Sequence, residues 1–542
     1  MLKESNGVTH SAWRRRGANW PWWAHLLAVG GMMVGVTAGP VEASNRDPHA
    51  VEPVDLAELS LDELMNMPVT SVSKKEERYS QTAAALFVLT QEDIRRSGAT
   101  SIPEALRMVP GLQVAKLDGN KWAITARGFN GRFANKLLVL VDGRTVYSPT
   151  FAGVNWDQQD MILEDIERIE VIRGPGATLW GVNAVNGVIN IITKKARDTQ
   201  GGLVVAGGGT EDRGFTGLRY GVELAEDTHL RVYGKFFARD NQAQANGDPA
   251  SDRWHQSRAG MRLDHTATNG DLWTLQGDYF AGQYRESVIF PTLASPYTQR
   301  ADLSAQTTGG NLLGRWTHTF SATSGVSVQA YYDRVEIYNA RAGLISDQAD
   351  LNLQHHTDLG SRHQLLWGVG YRFVNNQTIT QPGLLSATYS PETRWFSVWS
   401  GFIQDEITLV PQSVTATVGT KLEHNDFTGF VVQPSLKLRW TPDERQTIWG
   451  AVSRAVRAPS HSEDDIQVYQ PTGTYPPVAV FGSRRGGNEN LLAYEAGYRR
   501  QVTPDLSVDI AAYYNNYSDL RTFEPGSVIT VATPPPAHPV QP

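Results

Sequence analysis

The chain has 542 residues, a formal net charge of −7 at pH 7, 19% charged residues and no cysteine. This length favours two domains or one very large architecture over a single ordinary core. The slightly acidic balance argues against a nucleic-acid binder, and the lack of cysteine excludes disulfide scaffolds, thiol catalysis and cysteine-ligated metal sites. Fifty glycines with 15 Trp, 19 Tyr and 17 Phe favour a β-rich protein with many turns.

Residues 1–43 have the layout of a cleaved secretory signal peptide. Basic residues at 3 and 14–16 precede an apolar run at about 20–36, and residues 41–43 offer a small-residue cleavage site. The run is shorter than the roughly 20 residues of a spanning helix, so we predict removal rather than a membrane anchor. Export leaves the periplasm, the exterior or an outer-membrane β-barrel of a Gram-negative cell as destinations.

Residues 44–65 are polar and carry two prolines, which predicts a flexible leader. Helix signals follow in residues 66–196. Thr90 with Asp93 predicts a capped helix that Gly98 ends, and Ser101 with Glu104 repeats this pattern. Strand-like runs alternate with these helices at residues 85–89, 112–115, 123–127, 137–141, 169–172 and 187–192. The pattern predicts a compact α/β unit.

Five ordered motifs lie in this unit: GLQV at 111–114, RGFN at 127–130, VLVDG at 139–143, IERIEVIRGPGA at 166–177, and LWG with NGVINIIT within 179–193. A nucleotide-binding reading fails because the glycine-rich stretch lacks the lysine and hydroxyl of a P-loop. The series resembles the plug domain of TonB-dependent outer-membrane receptors. This resemblance implies a small mixed sheet with short helices, lodged inside a transmembrane antiparallel barrel of 22 strands.

Residues 197–542 alternate polar and apolar side chains, as at 230–236, 273–279, 432–440 and 506–514. With lipid outside and a wet, plugged interior, the apolar set should face outward. A soluble β-sandwich would also alternate, but with its polar set on an outer surface. Trp316, Trp440 and Tyr517 lie near predicted strand ends and suit interfacial girdles. Long connections are predicted at 281–302, 375–392 and 457–487.

We count about 15, perhaps 16, strands in this mainly β region, whereas the resemblance implies 22. The chain ends in a proline-rich stretch that cannot continue a ladder of hydrogen bonds. We therefore expect a carboxy-truncated family member, a frameshifted product or a fragment, because an open edge in lipid leaves backbone groups unpaired. The alternative is a smaller closed barrel of 14 or 16 strands.

The resemblance implies energised uptake without catalysis or a cofactor. The partners it implies are an extracellular ligand, outer-membrane lipid and TonB with the inner-membrane ExbB/ExbD complex, around a monomeric receptor. TonB needs an exposed extended segment to which it adds a strand. The candidate segment is Val69, Thr70, Ser71, Val72 and Ser73. Its alternative reading is the first strand of the plug.

In the family, plug arginines face glutamates of the barrel wall. Arg127 and Arg173 match the plug arginines, and Glu495 matches one barrel glutamate. The second glutamate falls near residues 454–457, where this sequence departs from the pattern, so the resemblance supports one pairing. Buried ion pairs would orient the plug at little net stability. The alternative reading of each arginine is a solvated surface charge.

Ligand residues should lie in the extracellular loops and plug apices, where aromatic and arginine side chains suit aromatic, anionic iron chelates. The candidates are Phe129, Asn130, Arg132, Phe133, Tyr147, Trp156 and His461. His461 lies between motifs that resemble those bracketing a haem-ligating histidine in haem receptors. His355, His356 and His363 read as interior polar residues, so no metal site is predicted.

A ferric siderophore is the ligand class that the resemblance favours. The same receptor class could instead serve cobalamin, haem or a glycan. A passive porin-like channel, an exported hydrolase or a non-functional truncated product are alternatives from other classes, although hydrolase motifs such as G-x-S-x-G and H-E-x-x-H do not occur in the sequence.

Overall fold

The computed structural model describes residues 61–380, 385–532 and 537–542. The predicted signal peptide and the leader up to residue 60 lie outside these ranges. The last residues of the predicted leader form a helix, α1 (Leu61–Asn66), which buries Met65. No helix in the described ranges is long and apolar enough to cross a bilayer.

The plug is built on a five-stranded mixed sheet. Its central strand, β11 (Gly187–Thr193), pairs antiparallel with β10 (Ile166–Ile172) and parallel with β6 (Leu137–Val141). The outer neighbour of β10 is β3 (Leu86–Thr90), and that of β6 is β7 (Arg144–Thr145), both antiparallel. Both faces are covered, so the strands are near-continuous apolar runs. The core joins residues such as Leu89, Ile102, Val139, Ile169 and Ile189.

Smaller plug elements complete the unit. The hairpin of β1 (Pro68–Val69) and β2 (Glu77–Arg78) comes first along the chain, and the antiparallel pair β4 (Leu112–Lys116) and β5 (Trp122–Ala126) lies between β3 and β6 in sequence. The pair β8 (Tyr147–Ser148) and β9 (Gly153–Val154) precedes β10. Helices α2 (Gln91–Ser97), α3 (Ile102–Ala105) and α4 (Ala177–Trp180) are short, and further 3₁₀ turns lie between them. The predicted plug strands therefore all form, within a few residues of their expected limits.

The two predicted helix caps differ in outcome. Thr90 and Asp93 form the expected reciprocal capping box, and Gly98 ends α2 in a left-handed conformation at φ 71°. The second cap is wrong, because the Ser101 side chain accepts no hydrogen bond from the helix that follows. Pro103 lies in the first turn of α3, and proline offers no backbone N–H for a cap to satisfy.

Fifteen strands form one antiparallel sheet in which each strand pairs with its sequence neighbours. They are β12 (Gly201–Gly207), β13 (Asp212–Ala225), β14 (Thr228–Arg239), β15 (Trp254–Thr266), β16 (Leu272–Pro291), β17 (Thr298–Ser321), β18 (Ser324–Tyr338), β19 (Ala342–Leu359), β20 (His363–Thr380), β22 (Thr393–Val410), β23 (Val414–Asn425), β24 (Gly429–Asp443), β25 (Gln446–Arg457), β28 (Glu489–Thr503) and β29 (Leu506–Ser518). This number confirms the sequence count. In the described residues β12 and β29 do not pair, so the sheet is open rather than a closed barrel of 14 or 16 strands.

The outer face of the sheet carries an apolar belt between two rows of aromatic rings. Trp273 and Tyr279 are 49% and 60% exposed, and they lie six residues apart on β16. That spacing is about 20 Å along a strand, close to the roughly 25 Å apolar band of outer-membrane barrels. Polar side chains face inward, as Gln433 at 0% exposure illustrates. The alternation therefore has the predicted sense.

Tyr517 does not belong to this outer face. It lies in register with the buried Leu491, and its hydroxyl donates to Asn186 Oδ1 of the plug at 2.7 Å. Its prediction as a girdle residue is wrong because the strand register turns it inward. Trp440, in contrast, is exposed near the turn at 411–413.

The strands are joined by short turns at one rim and longer segments at the other. Short turns include 322–323, 444–445 and 504–505. The opposite rim carries 240–253, 381–392 and 458–488, so two predicted long connections form. The third, at 281–302, is wrong, because β16 and β17 extend as a long hairpin to a loop at 292–297. The long-loop rim also holds the remaining short elements, α5 (His461–Asp465), β21 (Ala387–Tyr389), β26 (Ile466–Gln470), β27 (Val478–Phe481), β30 (Ile529–Val531) and β31 (His538–Val540).

Candidate functional site: the contact between plug and sheet

The plug meets the inner face of the sheet through buried ion pairs. Basic and acidic groups come from both partners, and most have less than one fifth of the side chain exposed. The pairs are Lys75–Glu406 at 2.7 Å, Arg127–Glu495 at 2.7 Å, Lys136–Glu489 at 2.6 Å, Asp160–Lys235 at 2.7 Å and Asp165–Arg219 at 2.6 Å. Each pair offsets its desolvation penalty only in this geometry, so together they specify one orientation of the plug.

Arg127 occupies the centre of one such contact. Its Nη2 donates to Glu495 Oε1, and its guanidinium lies 4.1 Å from the centre of the Tyr513 ring. Gly174 makes room for this arrangement. A Cβ at that position would lie 2.5 Å from Glu495 Oε1, and the φ of 155° is one that side chains rarely adopt. The structure thus places the two predicted partners together, and it explains the glycine beside them.

Arg173 is placed differently. Its Nη1 donates to the Pro110 carbonyl at 2.9 Å, and it forms no ion pair within the described ranges. Burial lowers the pKa of its guanidinium. Arg499 of β28 is the buried arginine that bonds this part of the plug. Its Nη1 donates to Thr82 Oγ1 at 2.8 Å, and its Nη2 lies 2.8 Å from Asp509.

Sequence reasoning missed Arg499 and the pair Lys136–Glu489. Arg457 also bonds Glu489, at 2.8 Å, so this acid joins the plug to the region of residues 454–457 where the family glutamate is absent. The only sequence signal was the inward parity of charged residues on each strand. That alternation indicates which charged side chains face the plug, but it does not indicate which of them form ion pairs.

The segment of Val69, Thr70, Ser71, Val72 and Ser73 is packed inside the plug. Val69 and Ser71 are fully buried, and β1 pairs with β2. The Ser71 N–H donates to the Glu170 carboxylate at 2.8 Å, and the Thr70 N–H donates to it at 3.1 Å. The Ser71 carbonyl accepts from the Trp180 indole at 2.9 Å. The segment was expected to be exposed, and it is not, because a buried carboxylate satisfies its backbone amides.

The plug loop at the long-loop rim carries four of the predicted ligand residues. Phe129 and Phe133 are 46% and 59% exposed, and Asn130 and Arg132 are exposed between them. The Lys136 ammonium lies 4.5 Å from the centre of the Phe129 ring. Exposed rings beside cations form a surface suited to an aromatic anion.

Tyr147 and Trp156 are buried, in contrast to their prediction as ligand residues. The Tyr147 hydroxyl donates to the Asn135 carbonyl at 2.9 Å, and Trp156 belongs to the plug core. Burial raises the pKa of the Tyr147 hydroxyl. The Tyr147 hydroxyl thus bonds the segment that follows Phe133, and neither ring faces outward.

His461 begins helix α5 in the longest loop, and it is 0% exposed. Its ring lies 5.2 Å from that of Tyr389, and its Nε2 lies 3.7 Å from Asp465 Oδ2. Burial lowers the pKa of the imidazole. This enclosed position does not offer the ring to a haem. No group of three or more His, Asp or Glu residues in the described part of the chain is arranged to hold a metal ion.

An interior cavity of about 560 Å³ lies between the plug and the sheet, where strands β15, β17–β20, β22 and β23 contribute to its lining. The hairpin β1–β2 contributes Lys74 to its lining, and the long loop contributes Ser460. The remaining wall is charged and aromatic, with Trp180 from the plug and Arg372, Phe402 and Lys421 among the inward residues of the sheet. The cavity therefore follows the plug from one rim of the sheet toward the other.

Two family models match consecutive parts of the chain. The model described as TonB-dependent Receptor Plug Domain matches residues 78–188, and the model described as TonB dependent receptor-like, beta-barrel matches residues 189–536. Together they cover the plug and the large sheet.

Individual relatives agree with these two family matches. The iron-regulated outer membrane virulence protein of Vibrio cholerae is 26% identical over 457 residues, which is 81% of this chain and 66% of that protein. The ferric enterobactin receptor of Pseudomonas aeruginosa is 26% identical over 487 residues, 76% of this chain and 63% of its own length. The vitamin B12 transporter BtuB of Vibrio cholerae is 33% identical over 164 residues, 30% of this chain and 26% of its own. The chain thus spans just under two thirds of the length of its long-range curated relatives.

Solved structures share the fold. The siderophore receptor PirA from Acinetobacter baumannii aligns with a TM-score of 0.67 at 16% identity, covering 89% of this chain and 77% of that one. PirA from Pseudomonas aeruginosa aligns with a TM-score of 0.64 at 19% identity, covering 85% and 79%.

Proposed function

The chain belongs to the family of TonB-dependent receptors, and from that premise we propose that it takes up a ferric-siderophore-type complex across the outer membrane by TonB-energised transport, without catalysis. In this proposal the signal peptide of residues 1–43 exports the chain, and the apolar belt contacts outer-membrane lipid. The receptor works as a monomer, and TonB with ExbB/ExbD supplies the work that moves the plug.

The observation that carries this proposal is the way the plug is seated. Buried ion pairs such as Arg127–Glu495 and Lys136–Glu489 hold it against the inward face of a sheet whose outer face is apolar. Such pairs give orientation with little net stability, and breaking them one at a time exposes uncompensated charge. A plug held in this way stays in place at rest and moves when work is done on it.

The segment at residues 69–73 is the proposed point of attachment for TonB. Strand addition needs free backbone amides, whereas the amides of Thr70 and Ser71 bond Glu170 in the resting structure. The proposal therefore requires this segment to break its hydrogen bonds to Glu170 before TonB binds it. Arg127 and Arg173 remain proposed plug-seating residues, and only Arg127 has a carboxylate partner in the described residues.

The ligand is proposed to meet the exposed plug loop first. Phe129 and Phe133 offer aromatic faces, and Arg132 offers positive charge beside the Phe133 ring. An aromatic, anionic iron chelate matches that combination. The relatives described as a ferric enterobactin receptor and an iron-regulated outer membrane protein point in the same direction.

The test is uptake of ferric enterobactin labelled with radioactive iron, in a Gram-negative strain that lacks its own receptors for this compound. We expect binding at ice temperature and accumulation on warming only when TonB is present. Val69→Pro should retain binding and lose uptake, because proline removes a backbone amide and distorts β1. Val69→Thr keeps the amide and the side-chain shape, and it should transport like the parent chain.

Cobalamin is the second candidate ligand, because the vitamin B12 transporter BtuB is 33% identical over the 164 residues that it matches. Uptake of cobalt-labelled cyanocobalamin in the same strain separates the two ligands. Accumulation without TonB would favour a passive channel. Absence of binding and uptake for both compounds, from a chain that reaches the outer membrane, would reject the receptor proposal and favour a non-functional product.

A further inference from the structure

Two lysine ammonium groups lie near the same aromatic ring in the interior cavity. Lys74 of the β1–β2 hairpin lies 4.7 Å from the centre of the Phe402 ring and 4.7 Å from that of Trp180. Lys421 of β23 lies 5.8 Å from the same Phe402 ring and is only 7% exposed. All four residues line the cavity. Two cations thus line one space that is large enough for a drug-sized group.

Neither ammonium is neutralised in the described part of the chain, since neither forms a hydrogen bond or an ion pair with a carboxylate there. The nearest acids are Asp350 and Glu423, and both already serve other donors. Asp350 accepts from Arg372 Nε at 2.8 Å and from the Asn352 amide. Glu423 accepts from the Val182 N–H at 2.6 Å and from Gln433 Nε2 at 2.8 Å.

Buried cations without partners are costly, and their proximity adds like-charge repulsion. Burial, together with repulsion from Lys421, lowers the pKa of Lys74 to about 7. An anion placed between the two ammonium groups would remove both penalties. The aromatic faces of Trp180 and Phe402 would then pack against any ring that carries the anionic group.

We propose that Lys74 and Lys421 form an anion-binding station inside the receptor, which takes an anionic oxygen group of the cargo, such as a carboxylate or a catecholate, between the outer binding surface and the periplasm. The inference deepens the proposed transport function and rests on it for the identity of the cargo. The station is separate from the exposed loop of Phe129 and Phe133, because it lies beneath the plug surface on the side of β19–β23.

The two lysines belong to different structural elements. Lys421 belongs to a paired strand of the sheet, whereas Lys74 lies in the β1–β2 hairpin, directly after the proposed TonB attachment segment. The Trp180 indole bonds the Ser71 carbonyl, so Trp180 also contacts that segment. Withdrawal of the hairpin removes Lys74 from the floor of the cavity. The same movement therefore opens the exit and deletes one of the two charges that hold the anion.

Iodide quenching of Trp180 fluorescence tests the station without knowledge of the cargo. The Trp180 signal is the difference between the purified full chain and Trp180→Phe, measured as sodium iodide replaces sodium chloride at constant ionic strength. Removing one charged partner of an anion corresponds to about a tenfold loss of binding. We expect Lys421→Gln to lower the iodide quenching constant about tenfold and Lys421→Arg to retain it. Acrylamide, a neutral quencher, should act equally on all variants.

Lys437→Gln is the matched control, because Lys437 also faces inward but lines a different, smaller cavity. Its iodide quenching should equal that of the parent chain. Line broadening of chloride NMR signals gives a second readout that needs no Trp180 variant, and Lys421→Gln should abolish the excess broadening. Equal iodide quenching and equal chloride broadening in Lys421→Gln and the parent chain would overturn the proposal.

The transport arm separates this inference from the proposed function. With ferric enterobactin as probe, Lys421→Gln should bind like the parent at ice temperature and accumulate iron about tenfold more slowly on warming, since only the interior step loses a charge. Parental uptake rates in Lys421→Gln would overturn the interior station and leave the receptor function intact. Loss of uptake in the parent chain would reject the function, while the iodide result would still decide the station.

Discussion

Glu170→Gln tests how the resting receptor holds its amino-terminal segment. The Glu170 carboxylate is fully buried in β10 and accepts from two backbone amides, those of Thr70 and Ser71, at 3.1 and 2.8 Å. It also accepts from Arg168 Nε at 2.8 Å. Glutamine keeps the shape of the side chain but has an NH2 donor in place of one carboxylate oxygen and carries no charge. At least one of these three donors therefore loses its acceptor.

The magnitude follows from these contacts. Both amides bond the same oxygen, Glu170 Oε2, and Arg168 bonds the other. A hydrogen bond to a charged acceptor contributes about 1.5–3 kcal/mol and one to a neutral acceptor about 0.5–1.5 kcal/mol, so neutralising Oε2 weakens each of the two amide bonds by about 1 kcal/mol. We expect the segment to open more easily by about 2 kcal/mol, which is about a 30-fold change in the opening equilibrium. The effect should be local, because within the described residues the Glu170 side chain bonds this segment and Arg168 alone.

Hydrogen exchange of the Thr70 and Ser71 amides, followed by mass spectrometry on the full chain in detergent, measures this equilibrium directly. Both amides should exchange about 30-fold faster in Glu170→Gln, while amides of β16–β20 keep their protection. Glu167→Gln is the control, because Glu167 pairs with the same Arg168 but touches neither amide. Unchanged exchange at Thr70 and Ser71 in Glu170→Gln would refute the idea that this carboxylate holds the segment.

Three further predictions concern the stability of the contact between plug and sheet. Arg127→Ala leaves the Glu495 carboxylate buried without its partner, so denaturant unfolding should show a loss of about 3 kcal/mol that the double variant with Glu495→Ala partly restores. Gly174→Ala should destabilise the plug more than Gly98→Ala in the same assay, because the new Cβ at Gly174 meets Glu495 Oε1 at 2.5 Å, whereas no atom lies within 4 Å of a new Cβ at Gly98. Lys74 has a folded-state pKa of about 7 against 10.5 for the free group, so the unfolded chain binds more protons between these values and the thermal midpoint should rise with pH across that window. Lys74→Met should abolish that rise, and a pH profile identical to the parent's would show that Lys74 does not titrate there.

The sequence by itself determined the architecture of this protein, because the signals involved are local. A two-residue period decides which side chains share a face of a strand, and the Thr90 box and Gly98 end a helix through contacts only a few residues long. The same local periodicity predicted about 15 strands and the outward apolar face. Local signals failed at Ser101 and Tyr517, where a neighbouring proline and the strand register decided the outcome.

Only the tertiary structure decided which charges meet. Arg127 and Glu495 are 368 residues apart, and nothing along the chain between them encodes their separation in space. The register of fifteen strands and the seat of the plug bring them together, and the same geometry buries residues 69–73 on Glu170 and leaves Lys74 and Lys421 without carboxylate partners in the described residues. Electrostatic interaction depends on distance and burial rather than on residue type, and distance and burial exist only once the sheet has curved around the plug.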